Sequence, residues 1–187
     1  YVMANSVYKS KNLSTEQLQF LKQLDEEEIL YFNMSEIEEE LDVKYNNLNE
    51  VLENLVDKDV LNRLEKGKYC RSTFTEPEVL ASFISNGGVI SFWSALHKHN
   101  LTDRFPNKLF VKTNYRKRNT SLFGTSVQFV YTKPEKQVGA TLTGYGQNAY
   151  FISDVEATMM DCFDQPRYAG DWQDLLQAFN KAQLDPQ

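Results

Sequence analysis

Lys44-Tyr45-Asn46-Asn47 and Asn49 bring a cation, a phenol and three carboxamides within six positions. That set suits the edges of DNA bases. Asn pairs bidentately with adenine, Lys meets guanine or phosphate, and Tyr reaches a phosphate or a thymine methyl. A solvated polar helix face carries the same residue types, so their meaning depends on what positions them. Further on, Arg63, Lys66, Lys68 and Arg71 surround a Glu65-Lys66-Gly67 turn in which only Glu65 interrupts the positive charge. A basic tip of this kind fits phosphate, which sets register without reading sequence. A third group, Lys108, Lys112, Arg116, Lys117 and Arg118, puts five positive charges into eleven residues with no acid among them. On a hairpin loop, the triplet Arg116-Lys117-Arg118 would be exposed to a polyanion.

Other chemistry is poorly supplied. Asp154 and Glu156 read as helix-capping residues. Asp161 and Asp164 sit near a helix end, and the sequence sets no histidine, lysine or glycine-rich phosphate loop beside them. Cys70 and Cys162 are far apart and lack the paired spacing of a zinc or redox motif. His97 and His99, two apart on a helix, diverge by about 200° and cannot share a metal. The reading is therefore of a chain that is no enzyme and that needs neither a metal nor a cofactor.

The elements that would carry the basic groups follow from periodicity. Ser14-Thr-Glu-Gln17 has capping-box spacing ahead of Leu18, Leu21 and Leu24, which predicts a helix over 15–25. After the short apolar run Ile29–Phe32, which reads as a strand or the end of a linking segment, Ser35-Glu-Ile-Glu38 is a second capping box, opening a short helix with Ile37 and Leu41 inward. Leu48, Val51, Leu52, Leu55 and Val56 form one stripe of a third helix over 45–58. Two short helices with a tight turn are a helix-turn-helix, whose second helix enters the major groove. Val60–Leu64 and Lys68–Arg71 then make a hairpin around Gly67. Helix, helix, helix, hairpin reads as a winged helix-turn-helix.

The pattern changes near residue 72. Thr75-Glu-Pro-Glu78 offers a helix start and Asn86-Gly-Gly88 a stop, and a further helix begins at Ser91-Phe-Trp-Ser-Ala-Leu96. Lys108–Thr113, Val127–Tyr131 and Ala149–Ile152 alternate as strands. Ser153-Asp-Val-Glu156 reads as a third capping box, opening a helix to about 163. A last helix carries Trp172, Leu175, Leu176 and Phe179. The expected fold class is α+β, with an N-terminal winged helix-turn-helix over 1–72. A mixed α/β domain with a small, mostly antiparallel sheet follows over 73–187.

Charge opposes the DNA reading. Residues 14–71 hold fifteen acids against seven bases, a net −8, within a chain of net −6. Glu36, Glu38, Glu39 and Glu40 on the second helix must point away from phosphate for DNA to bind, because unit charges 4 Å apart interact by roughly 1 kcal/mol even in water. An acidic N-terminal domain that docks a basic protein partner is the competing reading. No apolar run approaches membrane-spanning length, and Tyr1-Val-Met-Ala lacks a basic leader, so a cytoplasmic protein without membrane contact is expected. The ends at Tyr1 and Gln187 leave room for trimming.

The blocks Val89-Ile-Ser-Phe-Trp-Ser-Ala-Leu-His-Lys-His-Asn-Leu-Thr-Asp103, Phe105-Pro-Asn, Val111-Lys-Thr, Tyr115-Arg-Lys-Arg118 and Val155-Glu-Ala-Thr-Met-Met-Asp-Cys-Phe-Asp-Gln-Pro-Arg-Tyr-Ala-Gly170, with their spacing, resemble the AbiEi antitoxin family over roughly residues 15–180. That resemblance implies a winged-helix domain that represses its own operon by binding double-stranded DNA at inverted repeats. It also implies a C-terminal domain that opposes a cognate nucleotidyltransferase-like toxin without obligatory contact, in an abortive-infection defence against phage. On this reading Tyr45, Asn46, Asn47 and Asn49 read bases. Lys44, Arg63, Lys66, Lys68 and Arg71 hold phosphate, and Arg116, Lys117 and Arg118 add a second contact.

Overall fold

The computed structural model describes residues 12–182 and residue 184. Lys9 and Lys11, which count toward the chain's net charge of −6, lie outside that range. The chain divides into two compact units, Tyr1–Phe74 and Thr75–Gln187, two residues beyond the boundary at 72.

In the first unit, α1 (Thr15–Glu26) opens on the expected capping box, with Ser14 Oγ accepting from the Gln17 amide and Gln17 Oε1 accepting from the Ser14 amide. Phe20, Leu21 and Leu24 supply its buried stripe. The apolar run that follows becomes β1 (Tyr31–Asn33). Next come α2 (Ile37–Glu40), α3 (Leu48–Asp57) and a hairpin of β2 (Leu61–Glu65) and β3 (Lys68–Arg71). The three strands form an antiparallel sheet in the order β1-β3-β2, with Phe32 opposite Tyr69. β1 was not anticipated as a partner of the hairpin. Its pairing is non-local, and burial of Phe32 against Phe20 and Tyr69, with Tyr31 stacked on Phe74, contributes to it.

Two helix starts differ from expectation. The second capping box does not form: Glu36 precedes α2 without a side-chain cap bond, and the helix is a single turn. α3 begins at Leu48 rather than 45, because the Asn47 side chain accepts from the Glu50 amide and so defines the start. Val51, Leu52 and Leu55 face the core, with Leu48 and Val56 packed at its margin.

The second unit runs α4 (Pro77–Ile84), β4 (Val89–Ile90), α5 (Phe92–Lys98), β5 (Leu109–Thr113), β6 (Thr120–Leu122), β7 (Thr125–Tyr131), β8 (Ala140–Thr143), β9 (Tyr150–Ser153), α6 (Val155–Asp164) and α7 (Trp172–Lys181). Its six strands order as β6-β7-β5-β4-β9-β8. The sheet is mixed: β5 with β7 and β4 with β9 are parallel, and the other three pairs are antiparallel. Both parallel pairs involve the central strands β4 and β5. All five residues of β5 are buried, as a strand covered on both faces requires. Phe92, Leu96, Phe110, Met159, Cys162, Leu175 and Ala178 build a core shared by α5, α6, α7 and the sheet. The whole is an α+β protein.

Candidate nucleic-acid interface

The first group of candidate residues is not a helix face. Lys44, Tyr45, Asn46 and Asn47 form the lead-in to α3, and only Asn49 lies on the helix itself. Lys44, Asn46, Asn47 and Asn49 are exposed. Asn47 is occupied by capping, since its Nδ2 also donates to Glu50 Oε2 at 2.8 Å. Tyr45 is half-buried and packs against the core of the unit. Its ring meets Phe20 edge-on, with centroids 5.5 Å apart, and its hydroxyl donates to Gln23 Oε1. Burial, then the carboxylates of Glu16 and Glu38, push its phenol pKa above the ordinary value. An aromatic beside a polar run gives no sequence signal that separates a core anchor from a base contact.

The acids of α2 are not all turned outward. Glu38 Oε1 accepts the Tyr45 amide at 2.8 Å, so this carboxylate fixes the lead-in to α3. Glu36 accepts from Asn33 Nδ2 at 2.7 Å. Glu40 has its pKa raised, first by desolvation and then by Glu36 one turn earlier. Glu39 and Glu40 are exposed.

The hairpin keeps less free charge than its composition promises. Gly67, at φ +77°, makes the turn possible and leaves Lys66 exposed at its tip. Arg71 is corrected from a phosphate contact to a buried structural residue: its guanidinium meets Asp25 Oδ1 at 2.8 Å. Lys68 is largely covered and lies 3.3 Å from Glu65. Arg63 is half exposed, but it bonds Glu53 of α3 at 3.0 Å, and the Tyr69 hydroxyl donates to the same carboxylate at 3.3 Å. The acids that give this unit its negative charge therefore neutralise three of its four hairpin bases. Lys44, Asn46, Asn49 and Lys66 stay exposed and offer polar or cationic groups to a partner.

In the second unit the basic triplet lies on no hairpin. Residues 114–119 carry the chain from β5 to β6, across the end of β7, because β5 pairs with β7 and not with β6. The hairpin turn is Phe123-Gly124, both at positive φ. Arg116 and Arg118 are exposed, whereas Lys117 lies over the Phe129 ring, 5.5 Å from its centroid. Lys108 donates to Gln128 Oε1 at 3.1 Å.

Lys112 leaves the basic cluster altogether. It is buried, with Nζ 2.6 Å from Asp161 Oδ2. Ser91 Oγ donates to the same oxygen at 2.7 Å, and Ser153 lies within reach of both, at 3.0 Å from Ser91 and 3.4 Å from Asp161. Phe92, at φ +54°, is an uncommon conformation for an aromatic residue; it turns the chain from β4 into α5 just after Ser91. Asp161 thus has a lysine beside it in space, against expectation. Ser153 is spent on this cluster, and α6 is capped by Asp154, whose Oδ1 accepts the Ala157 amide at 2.7 Å. Four polar side chains from β4–α5, β5, β9 and α6 close on one another, an arrangement that ties the elements together. Among the described residues no group of three or more His, Cys, Asp and Glu side chains could hold a metal ion. No described helix is long and apolar enough to cross a membrane. No protein-family model matches the sequence, and no curated protein matches it significantly.

Proposed function

We propose that the chain is a DNA-binding autorepressor and antitoxin of the AbiEi kind, acting in the cytoplasm without catalysis of its own. Its first unit would serve as a winged helix-turn-helix. The observation that carries this reading is the run of elements α1-β1-α2-α3-β2-β3. It leaves Lys44, Asn46 and Asn49 exposed at the start of the third helix and Lys66 exposed at the tip of the following hairpin. A helix start of this kind, followed by a basic hairpin tip, is how such units address a major groove and its flanking phosphates.

The residues divide by role. Asn46 and Asn49 read base edges, and Lys44 and Lys66 hold phosphate. Arg116 and Arg118 supply a second phosphate contact from the other unit. Opposition to a nucleotidyltransferase-like toxin belongs to the second unit. The test is nuclease footprinting of the chain on the DNA upstream of its own gene: protection of two inverted half-sites at nanomolar protein supports the reading, and uniform cleavage at every concentration rejects it. The acidic surface favours a second reading, a module that docks a basic protein, which co-purification with the neighbouring gene product would support.

A further inference from the structure

The chain between Lys136 and Asp154 contains no charged residue, in a protein one quarter of whose residues are charged. This uncharged stretch is not interior. It builds β8 and β9 at one end of the six-stranded sheet, and β8 is the last strand in the order. Ala140, Thr141 and Leu142 are exposed, with Leu142 at 63%, and nearby Val138 is 51%, Tyr145 92% and Phe151 40% exposed. Edge strands that stay single are blunted by very short length, lysine, proline, a bulge or a covering element. Over β8 the sequence Ala-Thr-Leu-Thr has no lysine or proline, and its register with β9 runs unbroken from Ala140–Ser153 to Thr143–Tyr150. Among the described residues, no strand pairs with its outer edge.

We propose that β8 is a dimerisation edge, on which a second copy of this chain adds its own β8 antiparallel to continue the sheet across a two-fold axis. The occupant is a second copy because the strand is complementary to itself. Pairing about Leu142 sets Leu142 opposite its own counterpart and Thr141 opposite Thr143 of the second copy, and cross-strand threonine pairs are favourable. Only the position on the two-fold axis meets its own copy, and there Leu142 sets an apolar side chain, not a like charge, against itself, with no charged residue elsewhere on the strand to be left unpaired. Leu142 and Phe151 are cross-strand partners and so share a face. Two copies therefore join four apolar side chains that are each exposed in the single chain. The inference does not depend on DNA binding, although a two-fold dimer would match inverted repeats.

Sedimentation equilibrium without DNA tests it. The unaltered chain should weigh twice its 21.7 kDa at micromolar concentration. Leu142→Lys and Leu142→Glu should each be monomeric with unchanged thermal melts, and an equimolar mixture of the two should regain the dimer mass. In the unaltered chain, amide exchange over residues 140–144 should slow as concentration rises. A wild-type monomer, dimers that persist in both charged variants, or concentration-independent exchange would each overturn the proposal. Because no DNA is present, none of these outcomes bears on whether the first unit binds an operator.

Discussion

Lys112 Nζ and Asp161 Oδ2 stand 2.6 Å apart, the lysine sealed from solvent and the aspartate nearly so, at a point where β5 and α6 meet the start of α5. The pair is an interior charge couple, and removal of one partner strands the other. Asp161→Asn should lower stability to urea by about 3–5 kcal/mol, the usual cost of an uncompensated buried charge. Lys112→Met combined with Asp161→Leu should recover most of that loss. A loss in the double variant equal to the sum of the losses in Lys112→Met and Asp161→Leu alone would show that the charges do not depend on each other.

Arg71 and Lys66 should separate cleanly, although both are bases of one hairpin. Arg71→Ala breaks the contact with Asp25 and should cost about 2 kcal/mol of folding stability, as for a hydrogen bond to a charged group, while DNA affinity of the folded protein is unchanged. Lys66→Ala should leave the melting temperature alone and weaken DNA binding at every sequence. Paired thermal melts and anisotropy titrations check both.

Asn46 and Asn49 carry the sequence preference. Asn46→Ala should cost about 1–3 kcal/mol on the operator and almost nothing on unrelated DNA, because a carboxamide reads a base edge and not the backbone. Competition titrations with the two DNAs give the ratio directly. A parallel loss on both would assign Asn46 to the backbone instead.

Burial holds the Cys70 thiol pKa up to about 12 and raises that of Cys162 beyond it, desolvation being the first cause in each. The thiolate is the reactive form, so the native protein should resist alkylation at neutral pH and react at both cysteines in urea. The same shifts set an alkaline limit. Below the unfolded thiol value near 9.0, both states keep their protons and stability is complete. Above it, the unfolded chain loses protons that the native one keeps, so stability falls as pH rises toward 12. The raised phenols of Tyr31, Tyr45, Tyr69 and Tyr150 steepen that decline above pH 10. Urea midpoints should hold level from pH 7 to about pH 9 and fall from there to pH 11.

Local signals in the sequence reached the helices well and the site only in part. Ser14 with Gln17, and the stripe Val51-Leu52-Leu55, are encoded within a few residues of one another, and they appear where periodicity places them. β4, β6 and β8 are two to four residues long, too short for a periodic pattern to mark them, and β4 exists through pairing with β5 and β9 farther along the chain. Hairpin bases were visible by type, but their partners were not. Asp25 for Arg71, Glu53 for Arg63 and Asp161 for Lys112 come from other elements, and a linear charge count cannot show which cations are already used. The partners of Tyr45 are hidden for the same reason, since Phe20 and Gln23, which hold it, lie on α1.

The salt dependence of operator binding tests the central claim most directly. Each phosphate contact contributes about 0.9 to the slope of log affinity against log salt. Lys44→Ala combined with Lys66→Ala should therefore flatten the wild-type slope by about 2, with the thermal melt unchanged. An identical slope in wild type and double variant would contradict a DNA surface built from the start of α3 and the hairpin tip.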